Sequence, residues 1–245
     1  MSKPQATVKY CNEIGDEVST TWEQARADLI VEGLPVRVPP TFKGQRNYPG
    51  LFWASTNRRV MVYESLLELD RLWLADFDLN VGRIATQPFQ IMGREGAAPR
   101  KHVPDILLVH RDKTVTLVDV KPSAHLERPE VEAQLAWTRS LCRTKGWNYE
   151  VFTGSDGAKL RNIKALAVGR RPERLPPGLV DAARATLDCS EVTLREVLTR
   201  RPEGCDVNSW RVAVLACLWA GYMTLDLEQP LGEETVLKSS AGARA

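Results

Sequence analysis

No run of apolar residues in this sequence approaches the ~18 that a membrane helix needs; the apolar stretch Val212–Gly221 is only about half that length. Met1–Tyr10 carries no apolar h-region of a secretory signal, so a cytoplasmic protein is expected. The five cysteines (Cys11, Cys142, Cys189, Cys205, Cys217) form no CxxC and are odd in number, which argues against structural zinc and against a secreted disulfide framework. Of the histidines, His110 and His125 have no ligand-spaced partners. There is no P-loop, GxGxxG or nucleophile elbow, so ATP hydrolysis and dinucleotide chemistry find no support. Charge of one sign is also scarce: 33 Lys and Arg against 31 Asp and Glu leave a net +2, which excludes a whole-surface cationic coat but not a local basic patch.

What is present suffices for a folded chain. The 245 residues, 43% hydrophobic and 26% charged, can build a core of ordinary size in one or two domains. Residues 1–58 show little pattern beyond one short helix within Thr21–Val31 and read as an N-terminal arm; Pro35, Pro39, Pro40, the polar run Lys43–Asn47 and Pro49–Gly50 read as arm or loop. Leu66, Leu69, Trp73 and Phe77 then step along one face of a helix. Three strand-like runs follow, Ile84–Ile91, Val103–Val109 and Val115–Val120, separated by turns at Gly93–Lys101 and Arg111–Lys113. Pro129–Arg143 reads as a helix ended by Gly146, Tyr149–Thr153 as a strand, and Asn162–Val168 as a strand or short helix. This order predicts an α/β domain with a mixed sheet over 59–169.

Residues 170–178 (RRPERLPPG) read as a linker, and 179–245 as three helices and a hairpin, the outline of a small winged-helix-like domain. Lys159–Arg201 holds 10 basic and 5 acidic residues, a surface for phosphate contact or simply a solvated face, whereas everything from Pro202 onward is net acidic. An acidic hairpin repels phosphates, which points the last domain toward a protein partner.

One constellation carries chemistry. Asp105 heads an apolar strand, and Asp119-Val120-Lys121 closes the next one after a tight turn. Antiparallel pairing brings Asp105 beside Asp119, and Lys121, two residues on, shares the face of Asp119. Two carboxylates and an ammonium at one sheet end suit phosphodiester hydrolysis assisted by Mg²⁺, since hard oxygens hold the ion and a lysine offsets charge in the transition state. A glutamate on the preceding helix, Glu64 or Glu68, lies beside the apolar stripe and can reach the same end; the alternative is a solvated Glu68–Arg71 pair. His102 reads as a strand-start residue or phosphate contact, and Trp73, Trp137, Trp210 and Trp219 read as core.

The PD…DxK order resembles the PD-(D/E)xK nuclease superfamily, and more narrowly the TnsA-like endonuclease subunits of heteromeric transposases. The resemblance rests on Ser65-Leu66-Leu67-Glu68, Asp78-Leu79-Asn80-Val81, Gln87-Pro88, His102-Val103-Pro104-Asp105, Asp119-Val120-Lys121-Pro122 and Gly146–Thr153. It implies a restriction-endonuclease-like mixed sheet flanked by helices and followed by a winged helix. Its spacing selects Glu68 over Glu64. It further implies that Asp105, Asp119 and the Val120 carbonyl hold Mg²⁺ (Mn²⁺ as a substitute), that Glu68 holds a second ion or orients water, and that Lys121 assists attack. The implied substrate is double-stranded DNA at transposon ends, cut on one strand, with a TnsB-like DDE transposase and a TnsC-like ATPase as partners and no membrane. Two other functions fit the same residues: a stand-alone restriction or repair nuclease, and a catalytically silent nuclease fold that binds DNA as an assembly module.

Overall fold

A computed structural model describes residues 6–37 and 48–239; Pro39, Pro40, Lys43–Asn47 and the tail beyond Ser239 lie outside the described residues. The chain divides into two units, Met1–Asp76 with Asn80–Gly154, and Phe77–Leu79 with Ser155–Ala245. The first contains β1 (Ala6–Cys11), β2 (Glu17–Thr21), α1 (Ala27–Ile30), β3 (Gly50–Ala54), β4 (Arg59–Tyr63), α2 (Leu66–Phe77), β5 (Val81–Thr86), β6 (Gln90–Glu95), β7 (Ala98–His102), β8 (Ile106–His110), β9 (Val115–Val120), α3 (Pro129–Lys145) and β10 (Asn148–Phe152).

Every residue of β9 is buried, as befits a central strand covered on both faces. It lies in a mixed sheet of order β10-β9-β8-β5, parallel to β10 and antiparallel to β8. The parallel partner requires a crossover, and α3 supplies it. Alternation then divides the strand between two cores. Val118 and Val120 join Ile106, Leu108, Leu72 and Ala75 on the α2 side. Val115 and Leu117 join Leu107, Trp137 and Leu141 on the α3 side. The limits of α3 are set locally: proline at its first position, Glu130 and Glu132 in its first turn, Arg143 and Lys145 in its last, and Gly146 at φ 69° as the left-handed cap.

Three expectations are corrected. Residues 6–37 are not an arm: β1 pairs with both β2 and β6 in a second sheet of order β2-β1-β6-β7. Trp22, which no solvent reaches, donates its indole N–H to the Leu141 carbonyl at 3.0 Å and packs edge-on against Trp147. The short helix read within Thr21–Val31 shrinks to α1, because Trp22 and Ala25 are buried in the turn before it. Gly93–Lys101 is not a plain turn but most of the β6–β7 hairpin, its bend at Gly96 with φ 59°. Pro99 is tolerated because β7 is the edge of its sheet.

The second unit contains α4 (Gly157–Leu166), α5 (Leu179–Thr186), β11 (Glu191–Thr193), α6 (Leu194–Thr199), α7 (Val207–Trp219), β12 (Met223–Thr224) and β13 (Val236–Ser239). Asn162–Val168 is therefore helical over most of its length, and the division between units falls after Gly154 rather than at 170–178. The reason lies in Asn162, whose buried amide donates to the carbonyls of Leu227 (2.8 Å) and Gln229 (2.6 Å) and ties α4 to this unit. Strand β13 lies between β11 and β12. Helix α7, capped by Asp206 accepting from the Ser209 N–H, is buried continuously from Ala213 to Trp219. It leaves Val207, Asn208 and Arg211 exposed.

Candidate active site

The β8–β9 register pairs Ile106 with Val118, so Asp105 stands at the sheet end reached by Asp119, Val120 and Lys121. The backbone fixes Asp105 from two sides: its N–H donates to the Val118 carbonyl at 3.2 Å, and its carbonyl accepts the Gln87 N–H at 2.9 Å. Gln87 adopts φ 48°, a left-handed conformation that costs a non-glycine residue about 1 kcal/mol and is held here by burial. Asp105 Oδ2 accepts the Val120 N–H at 2.7 Å and Lys121 Nζ at 3.2 Å, and Lys121 Nζ also donates to the Val120 carbonyl at 3.0 Å. Three of the residues singled out in the sequence thus form one hydrogen-bonded node. Asp105 Oδ1 accepts no hydrogen bond among the described residues.

Asp119 is fully buried and differently held. His102 Nε2 lies 2.8 Å from Oδ1 and 2.9 Å from Oδ2, and the Tyr149 hydroxyl donates to Oδ2 at 2.5 Å. Glu68 is also buried. Its Oε2 accepts the Glu64 N–H at 2.9 Å, its Oε1 accepts the Ser65 hydroxyl at 3.2 Å, and its own N–H donates to Ser65 Oγ at 3.2 Å. Ser65 thus caps the first turn of α2, and the bonds from the Glu64 N–H and the Ser65 hydroxyl turn the Glu68 carboxyl back toward the helix start. The solvated Glu68–Arg71 pair does not form; Arg71 makes a two-pronged pair with Glu150 at 2.8 and 2.9 Å. Glu64, the other helical candidate, pairs with Arg37 at 2.7 Å.

The four ionisable groups feel one another. Burial pushes the Glu68 carboxyl up to about 7, and the charge of Asp105 adds to the rise. Burial also raises Asp105; the Lys121 ammonium opposes that rise and the Asp119 charge reinforces it. For Asp119, burial works toward the neutral form, but the His102 hydrogen bond and charge, the Lys121 charge and the Tyr149 hydroxyl hold it below the ordinary carboxylate range. Burial likewise works against the Lys121 ammonium, and the charges of Asp105, Asp119 and Glu68 overcome it and keep the group charged.

A cleft of about 680 Å³ opens on this end of the sheet, lined by Arg37, Lys101, His102, Asp105, Lys121 and Gln134 among others. Arg37, Lys101 and Lys121 face it with the acids Asp105 and Glu130, a small excess of positive charge. The amide nitrogens of Gln87 and Gln134 are buried without a hydrogen-bond partner among the described residues. Asp105, Asp119, Glu68 and the Val120 carbonyl supply only hard oxygen donors, a chemistry that suits Mg²⁺ or Mn²⁺ rather than zinc. Among the described residues no three acidic, histidine or cysteine side chains already form a cation cage; Asp119 is turned onto its two donors and Glu68 into its cap.

Sequence reasoning places Asp105, Asp119, Val120, Lys121 and Glu68 in this region but misses the contacts of His102 and Tyr149 with Asp119. The parallel register of β10 on β9, which sets Val151 against Asp119 and Tyr149 two residues before it, is the signal for Tyr149. His102 reaches Asp119 from the other sheet, and no local pattern announces that. Residues 78–154 match the family described as TnsA-like endonuclease N terminal. The match takes in Asp105, Asp119 and Lys121; it leaves out Glu68 and the second unit. Over this segment the chain is similar to TnsA-like nuclease domains, which supports a TnsA-like nuclease. No curated protein matches the chain.

Proposed function

We propose that the protein is a metal-dependent DNA endonuclease subunit of a heteromeric transposase, hydrolysing one strand at each transposon end. The observation that carries this reading is the Asp105–Val120–Lys121 node at the end of two adjacent strands, within the family match and on a cleft with a small excess of positive charge. Asp105, Asp119 and the Val120 carbonyl would hold Mg²⁺, with Glu68 as a further ligand. When bound, the ion polarises the scissile phosphate and acidifies a water. The residues do the remainder. Lys121, kept cationic by Asp105, donates toward the phosphate and offsets its developing charge. Glu68 would hold a further ion or orient the attacking water. The TnsB-like transposase would cut the other strand and the TnsC-like ATPase would regulate the pair.

The metal makes the first test. Nicking of transposon-end DNA, assayed with and without the transposase, should proceed with Mg²⁺ or Mn²⁺. It should fail with Ca²⁺, whose looser shell positions water poorly, and fail with Zn²⁺ alone. Robust cutting in EDTA contradicts the mechanism.

The order α5–β11–α6–α7–β12–β13, with β13 central, supports a winged-helix-like reading of residues 179–239. The helix that would enter a DNA groove is α7, yet it is buried along its second half. The acidic hairpin is partly neutralised, since Arg195 pairs with Glu233 (3.1 Å) and Glu234 (2.6 Å), but these exposed pairs contribute little. Protein docking therefore suits this unit, with DNA phosphates meeting the exposed basic face of α4. In the full chain, Lys159→Glu with Lys164→Glu should weaken binding to bare DNA and shrink its log–log salt slope by about 2, whereas Arg211→Glu should change neither. The opposite pattern makes α7 a DNA reader.

A further inference from the structure

We infer that His102 and Tyr149 are positioning residues of this site: they clamp the Asp119 carboxylate from two strands and fix which lone pair it presents to a divalent cation. The inference rests on the metal-dependent reading above. Asp119 sits in β9, Tyr149 in the neighbouring β10, and His102 at the end of β7 in the other sheet, so the clamp closes across both sheets. The Tyr149 hydroxyl donates to Oδ2 at 2.5 Å, and His102 Nε2 reaches Oδ1 and Oδ2 at 2.8 and 2.9 Å. A carboxylate offers about four acceptor positions. The tyrosine takes one on Oδ2 and the single imidazole proton is shared between the oxygens, which leaves Oδ1 the freer atom.

The clamp is itself held. The Arg139 guanidinium lies over the Tyr149 ring, 5.6 Å from its centroid. His102 is nearly buried, with 10% of its side chain exposed, and it lines the cleft beside Asp105 and Lys121. A ligating carboxylate supported in this way has lost its freedom to rotate before the cation arrives, and removing such outer partners typically costs 10–100-fold in metal affinity. A buried aspartate needing no cation would be satisfied equally by any two donors. What distinguishes this pair is that one of them, His102, also faces the cleft.

The test is a Mn²⁺ titration of the full chain without DNA, free Mn²⁺ being read by electron paramagnetic resonance, alongside thermal melts. Tyr149→Phe and His102→Ala should each raise the Mn²⁺ dissociation constant by about 10–100-fold while the melts stay near wild type. His102→Gln, whose amide can still donate, should recover part of the loss. Tyr149→Phe removes a single oxygen and carries the test if His102→Ala does not fold. Asp105→Asn is the control. If it loses Mn²⁺ while the clamp variants bind as wild type, or more tightly, the clamp is structural and the inference falls alone. If wild type and Asp105→Asn both fail to bind Mn²⁺, the metal-dependent reading falls and takes the inference with it.

Discussion

Lys121→Ala should lower DNA nicking by at least about 10³-fold, combining the loss of a charge-stabilising donor with a change in its neighbour. Lys121 is the strongest influence holding the buried Asp105 toward its ionised form. Without it burial is opposed mainly by the Val120 N–H, so Asp105 is driven further toward its protonated form, and a neutral carboxyl is a poor cation ligand. The same proton protects the fold, because Asp105 is neutralised instead of being left buried as an unpaired charge, and its Oδ2 still accepts the Val120 N–H. Activity should therefore vanish with melting little changed. Lys121→Arg should restore Asp105 ionisation, visible as a carboxylate signal by isotope-edited infrared spectroscopy, yet recover only part of the rate, since a planar guanidinium does not reproduce the compact ammonium. Wild-type nicking by Lys121→Ala removes the site assignment.

Glu68→Gln should do two opposite things: abolish nicking and stabilise the metal-free protein above neutral pH. The Glu68 carboxyl is raised from 4.5 to about 7, so between those values the folded state holds a proton that the unfolded state has released. Stability is full below pH 4.5, falls as pH rises through about 7, and stays down above it, by roughly 3 kcal/mol in all. Glutamine carries no such charge and can keep the bond from the Glu64 N–H, because its single carbonyl oxygen still accepts there. The variant should thus melt several degrees above wild type at pH 8 and level with it near pH 4.5, a site residue kept at the expense of stability. Glu64→Gln should retain nicking. Equal melting of wild type and Glu68→Gln at pH 8 would show that the carboxylate is not strained, and a reversal of the two activities would move the helical acid to Glu64.

The acidic and basic groups at the sheet end are legible in the sequence because their placement is local. Asp105 and Asp119 belong to neighbouring strands joined by a short turn, and an apolar run on each side sets the register. The helix carrying Glu68 is legible from its apolar stripe, though only the resemblance chooses between two acids one turn apart. What escapes is long-range. Ala6–Cys11 alternates buried with more exposed positions as a strand should, but six residues with Thr7 and Lys9 among them give a weak signal. The β6–β7 hairpin is hidden by Gly93, Gly96 and Pro99, which punctuate like a loop and are accommodated at a bend and an edge. His102 belongs to that hidden hairpin, so its contact with Asp119 stays invisible until the second sheet is assembled.

Pairing of β1 with β6 also dictates an order of events during synthesis. Thr7 lies opposite Met92, so β1 must wait for a partner more than eighty residues downstream. At ~5–20 residues per second that wait lasts on the order of 4–17 s. Throughout it the hairpin of β1 and β2 exists with one long edge unpaired, and Trp22 has no α3 to receive its indole N–H. The nascent chain therefore presents an adhesive strand edge and a bare tryptophan, the features that invite chaperones or mispairing between chains on one message. Completion of α3 and β10, which closes the β10-β9-β8-β5 sheet, also retires that hazard.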